Sequence, residues 1–159
     1  PISDRSLHIQ PDGSIVYRSG TEVTPEISAQ EQNPTAAESA LGCSILLQEL
    51  TEGLTGEASL YLQSVSQSGD STQLRFGYQL AGTPIRFSDG GSAAEITLSG
   101  TSITRLTLRF RQYSTTNEQS LLLPLRQTLA IAADHPGVEL SVGYADGGGD
   151  TVSASWLAD

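Results

Sequence analysis

The chain reads as an antiparallel α+β domain, and three observations predict it. Apolar residues recur at the helical period in two blocks and at the strand period in several others. The blocks are grouped, with no repeated strand–helix–strand unit, which favours α+β over α/β. Turn signals separate the strand blocks at short intervals, as in a meander. The expected architecture is an antiparallel sheet meander with two helices packed on one face. Its 159 residues fit a single domain, 1–159, with two unequal helix-plus-strands halves at about 33–113 and 120–159.

The elements follow in order. Leu7-His8-Ile9 and Ile15-Val16-Tyr17 flank Asp12-Gly13, a hairpin signal. Ser19 to Gln32 is polar and reads as a loop crossing the surface. A helix starts at Asn33-Pro34-Thr35, with Pro34 suited to the first helical position and Thr35 and Glu38 at capping-box spacing. Its apolar face is Ala36, Ala40, Cys43, Leu47, Leu50 and Leu54, and Gly53 or Gly56 can end it. Ala58, Leu60 and Leu62 then alternate, Ser68-Gly69-Asp70-Ser71 turns, and Leu74, Phe76, Tyr78 and Leu80 alternate without a break. Ile85 and Phe87 follow Ala81-Gly82-Thr83-Pro84, and Ala94, Ile96 and Leu98 follow Asp89-Gly90-Gly91. Leu106, Leu108 and Phe110 come after the turn Ser99-Gly100-Thr101-Ser102. A second helix after Pro124 turns Leu125, Leu129 and Ala132 or Ala133 to the core, and His135-Pro136-Gly137 stops it. A last hairpin pairs Val138, Leu140, Val142 and Tyr144 with Val152, Ala154 and Trp156 across Asp146-Gly147-Gly148-Gly149-Asp150.

Composition narrows the function. Net charge is −10, all eight basic residues are Arg, and charged residues are only 16% of the chain. Nucleic acid and anionic lipid both need a basic footprint, so neither is an expected partner. The single cysteine, Cys43, lies on the first helix's apolar face and reads as a small buried apolar residue.

A search for catalytic chemistry points away from an enzyme. A nucleophile needs a base, and the two histidines, His8 and His135, read as an outward strand residue and a helix-stop residue. Acids are dispersed, and Asp12, Asp70, Asp89, Asp146 and Asp150 read as turn formers. The Asp146–Asp150 loop lacks the calcium-loop spacing and reads as a hairpin turn. No Gly-rich loop is followed by Lys, so no phosphate cradle is expected, and no cofactor or metal is assigned. A hydrolase would require two carboxylates facing each other across a cleft.

One pattern points to binding. Arg105, Thr107, Arg109 and Arg111 share one face of a strand whose other face is Leu106, Leu108 and Phe110. Three guanidiniums on one strip in an acidic chain can receive an acidic segment of a partner. Arg105, Arg109 and Arg111 are therefore the candidate partner-binding residues, against the alternative of cross-strand pairing with an acid such as Glu95.

Phe76-Gly77-Tyr78-Gln79-Leu80-Ala81-Gly82-Thr83-Pro84-Ile85 resembles a Tyr-x-x-x-Gly-x-Pro-Ile strand and turn. With Ala94–Leu98, Ile103–Leu108, Leu122-Leu123-Pro124 and the Tyr144–Trp156 hairpin, the stretch from Leu74 to Trp156 is similar to the YycH and YycI type of regulators. PepSY-like domains share a similar helix-then-strands unit. The YycH and YycI group are membrane-anchored proteins of Gram-positive bacteria that act on a cell-wall-stress sensor histidine kinase by contact. The resemblance implies an extracytoplasmic, non-catalytic domain with an N-terminal transmembrane anchor upstream, and a sensor kinase or sister regulator as partner. The chain's start at Pro1 without an initiator Met fits a processed or truncated product. The alternative is a secreted or wall-associated module whose groove, lined by Tyr61, Tyr113, Tyr144 or Trp156, holds peptide or glycan. Oligomeric state is open on sequence alone.

Overall fold

A computed structural model describes residues 6–20, 25–116, 118–122, 124–134 and 136–158. The strands are β1 (Ser6–Ile9), β2 (Ser14–Arg18), β3 (Ala58–Ser68), β4 (Ser71–Leu80), β5 (Thr83–Phe87), β6 (Ala94–Ser99), β7 (Ser102–Arg109), β8 (Leu140–Asp146) and β9 (Ser153–Ala158). The helices are α1 (Ala36–Thr51) and α2 (Leu125–Ala133). The nine strands form one mostly antiparallel sheet, so the α+β class holds.

What the sequence does not announce is that the sheet forks. β3 pairs with β4 along nearly its whole length. The other edge of β4 is shared: Ser71–Phe76 pairs with β6, and Tyr78–Leu80 pairs with β5. Two arms leave β4, β6-β7-β2-β1 and β5-β8-β9. The second contains a parallel strand pair, Ile85–Phe87 against Tyr144–Asp146. Gly77 marks the split, and the turn Asp89-Gly90-Gly91 carries the chain between the arms.

Directly opposed residues point to the same face, so Leu74, Phe76, Tyr78 and Leu80 place one core on one side of the sheet. It falls into two clusters. Under α1 lie Cys43, Leu47, Leu74, Phe76, Ala94, Ile96, Leu98, Ile103 and Leu108, with Ile27 inserted from the loop before the helix. Beside the fork lie Ala58, Tyr78, Leu80, Ile85, Phe87, Ala93 and Tyr113. Burial of Cys43 pushes its thiol pKa up to about 12, so it stays a protonated, apolar packing group. Ile27 corrects the reading of 19–32 as a surface loop: Ile27 N–H donates to the Thr101 carbonyl at 2.9 Å and its side chain enters the core.

Both predicted helices form, with their faces rotated. Thr35 is the N-cap of α1 and the full capping box with Glu38 is present, so Pro34 precedes the cap and is not the first helical residue. The buried face is Ser39, Gly42, Cys43, Leu47 and Thr51, while Leu50 and Leu54 are 43% and 51% exposed. Small residues won the inner face because the Ile27 segment crosses there: a Cβ on Gly42 would sit 3.0 Å from the Ser28 carbonyl oxygen. In α2, Leu125 and Leu129 are about half exposed and Thr128 is buried, against the expected core-facing leucines. His135 and residues 21–24 lie outside the described residues. His8 is exposed, as its alternation predicts, but its neighbours Leu7 and Ile9 are exposed too, because β1 is a sheet edge.

The β4–β5 turn holds an avoidable strain. Ala81 has φ +49 and Gly82 φ +80, the pattern of a turn that favours Asn-Gly. Ala81→Asn is expected to stabilise the fold by roughly 1 kcal/mol, since Asn tolerates the left-handed region better than Ala. An unchanged or lower unfolding midpoint in denaturant would show that the turn carries no such strain.

Candidate functional site

The three arginines of the expected strip part company. β7 ends at Arg109, and the chain leaves the sheet to pass over the fork. Tyr78, fully buried on β4, holds it there: its hydroxyl donates to the Arg109 carbonyl at 2.7 Å and accepts from the Arg111 N–H at 3.4 Å. Tyr113 continues the path, stacking edge-on against Tyr78 at 5.4 Å. The backbone of Tyr113 then pairs with Thr55 and Glu57 beyond α1. Arg109 and Arg111 thus sit at the fork, while Arg105 stays on the sheet.

At the fork, two guanidiniums meet three carboxylates around a cleft of about 480 Å³. Arg109 lies over the Phe87 ring at 4.5 Å, holds both Asp89 oxygens at 3.0 and 3.3 Å, and lies 3.8 Å from Asp12. Arg111 makes a two-pronged pair with Asp146 at 2.9 Å on each prong and donates to the Gly149 carbonyl. Asp146 is 2% exposed and also accepts from the Tyr113 hydroxyl and the Gly148 N–H, both at 2.7 Å. Every oxygen of this buried carboxylate is therefore matched by donors.

The electrostatics of the cleft run one way. Burial would raise the Asp146 carboxyl, but the bonds from Arg111, Tyr113 and Gly148 outweigh it and hold the carboxyl below its ordinary range. Asp89 is held low chiefly by Arg109, and Asp12 chiefly by the Ser14 hydroxyl. Burial, then the bond to Asp146, pushes the Tyr113 phenol up. Three carboxylates do line one cleft, as a hydrolase would require, yet all are pushed toward the ionised form. Acid–base hydrolysis needs two environments that separate their pKa values. The bonds of Arg111 and Tyr113 to Asp146 clamp the end of β8 to the crossing segment.

Arg105 has a different setting. It lies on the sheet face opposite α1 and is exposed, directly opposite Arg18 of β2 in register and beside Thr97 of β6. Neither the Arg18 nor the Arg105 guanidinium has an ion-pair or hydrogen-bond partner among the described residues. Glu95, the acid weighed as a cross-strand partner, opposes Thr107 and is bonded to Arg75 at 3.3 Å. Like charges directly opposite across strands destabilise a sheet, so this pair is electrostatically unfilled.

The aromatic groove of the alternative reading does not assemble. Tyr113 is 6% exposed inside the core. Tyr61 lies against Gly77 on the opposite face, and Trp156 opposes Val142 at the far β8–β9 hairpin. Sequence reasoning read Asp12, Asp89 and Asp146 only as turn formers and passed over Arg18. Asp146 read as a turn former, although it continues the alternation of Val142 and Tyr144 onto the buried face. Arg18 went unnoticed because its proximity to Arg105 exists only once β2 pairs with β7. No family model, curated protein or solved structure was found to match this chain.

Proposed function

We propose that this chain is a non-catalytic, extracytoplasmic binding domain that regulates a membrane sensor kinase by contact with an acidic segment of the kinase or of a sister regulator. The observation that carries this reading is the Arg18–Arg105 pair: two exposed guanidiniums, in register on the polar sheet face and without an ion-pair partner among the described residues, in a chain with net charge −10. A partner carboxylate there would relieve their repulsion and find planar donors suited to two-pronged bonding. The resemblance of residues 74–156 to the YycH and YycI type supports the kind of partner. Arg109 and Arg111 support the surface indirectly, by fixing the end of the strand that carries Arg105.

The test places a photo-crosslinking residue at Thr97, next to Arg105, in the protein expressed in its native cells. Recovery of a membrane histidine kinase or its regulator, lost in the Arg105→Glu variant at unchanged melting temperature, is the expected result. Crosslinks to wall glycan alone, or an Arg105→Glu variant that captures the kinase as well as the parent does, would refute the reading. The loss expected from Arg105→Glu is roughly tenfold or more in capture, since one contact becomes a repulsion.

A further inference from the structure

The fork leaves three strand edges, and one is unlike the others. β1 is four residues long and β9 six, whereas β3 runs for eleven residues, Ala58–Ser68, paired only to β4 among the described residues. β3 contains no charged residue and no proline. Long, neutral edges are what other strands add to, and natural sheets usually shield them with charge, proline, brevity or a bulge, of which β3 has only the irregularity at Leu62–Ser64. The register shift between Leu62 and Ser64 divides the ladder into two regular runs, and in the first Ala58 already bonds Thr55 through both its N–H and its carbonyl, so the open part beside α1 is Ser59–Leu62.

A groove accompanies that stretch. It lies between the C-terminal half of α1 and the start of β3 and has a volume of about 550 Å³. Its apolar surface comes from Leu47, Leu60 and Phe76, and Gln48, Glu49 and Glu52 of α1 and its end supply the polar wall. Ser59 also lines it, although in the alternation of β3 its side chain belongs to the opposite face, so the groove reaches the backbone at the edge itself. Ala58, Leu60 and Leu62 share the face on which α1 packs, since they oppose Leu80, Tyr78 and Phe76.

We infer that β3 and this groove form a second docking site, which takes an extended segment of a partner protein by strand addition. The segment pairs its backbone with Ser59–Leu62 and sends alternate apolar side chains between β3 and α1. Charge decides its character. The edge is neutral, Glu49 and Glu52 stand on the groove wall, and the whole chain carries −10, so the occupant is a cationic strand bearing Lys or Arg beside its apolar residues. A second copy of this chain would set −10 against −10 and bring no basic residue on its own β3. The site is separate from the Arg18–Arg105 face, which lies on the other side of the sheet and selects the opposite charge.

The experiment titrates a fluorescent peptide that alternates valine and threonine between terminal lysines into the purified protein, and maps amide exchange. The expected result is slowed exchange in Ser59–Leu62, with affinity reduced roughly tenfold or more when alternate backbone nitrogens of the peptide are methylated, because those donors make the added ladder. Replacing the lysines by glutamates should weaken binding, and the variant Glu49→Lys with Glu52→Lys should reverse that preference. Both positions are exposed, Glu49 on α1 and Glu52 at its C-cap, so folding is not at stake. Binding that ignores methylation, protection outside β3, or absence of binding would overturn the inference. So would a peptide-free dimer with protected β3, which would assign the edge to self-pairing. Arg105→Glu should leave peptide binding intact, so failure at either face is read independently.

Discussion

Asp146→Ala is expected to lose roughly 3–5 kcal/mol of stability near neutral pH, because it strands the Arg111 guanidinium and the Tyr113 hydroxyl at a largely buried site. The carboxylate is the point where the β8 end, the Gly147–Gly149 turn and the crossing segment Arg111–Tyr113 are tied together. Adding Arg111→Met should cost much less than the sum of the single changes, since removing both partners leaves no uncompensated charge. The pH dependence follows from the lowered carboxyl pKa. A group held below its ordinary value, 3.8 here, stabilises fully above that value and loses its contribution as pH falls through the folded-state pKa. The gap between parent and Asp146→Ala should therefore be widest near neutrality and close on acidification below about 4. Denaturant unfolding of both proteins across this range measures it, and a gap that persists undiminished in acid would mean that packing, not charge, holds the site.

Phe76→Ala should cost a similar amount, roughly 3–5 kcal/mol, or a fall of about 6–20 °C in melting temperature. Phe76 is 1% exposed, in the α1-side cluster at the last β4 residue paired with β6, one position before the fork. Its loss leaves a cavity beneath α1 that the paired strands on either side cannot collapse to fill. Leu108→Ala, 3% exposed in the same cluster, should fall in the range of roughly 2–5 kcal/mol. Variants melting within a degree or two of the parent would overturn the assignment of this face to the core.

The legible parts of the molecule were those governed by neighbours in sequence. Period-two alternation placed Leu74, Phe76, Tyr78 and Leu80 on one buried face, and they are all buried there. Asp12-Gly13 and Thr35 with Glu38 acted through bonds spanning two or three residues, and the hairpin and capping box formed where they stand. Helix faces were less legible. Leu50 and Leu54 carry the right period but lie off the α1 face that Gly42 and Ser39 open to the Ile27 segment, a contact with no local trace.

The arginines show the same division at the site. Alternation correctly placed Arg105 on the polar face of β7, because side-chain direction along a strand is a local property. It could not foresee that Arg109 and Arg111 would meet Asp89 and Asp146, 20 and 35 residues away, or that Arg105 would face Arg18. The fold class, the strand and helix segments and the acidic, neutral-polar surface thus follow from pattern and composition, which report on each residue's own backbone and solvent. The fork in the sheet, the buried Asp146 clamp and the open β3 edge depend on which distant strands pair, and that choice is made by the shared core they bury together.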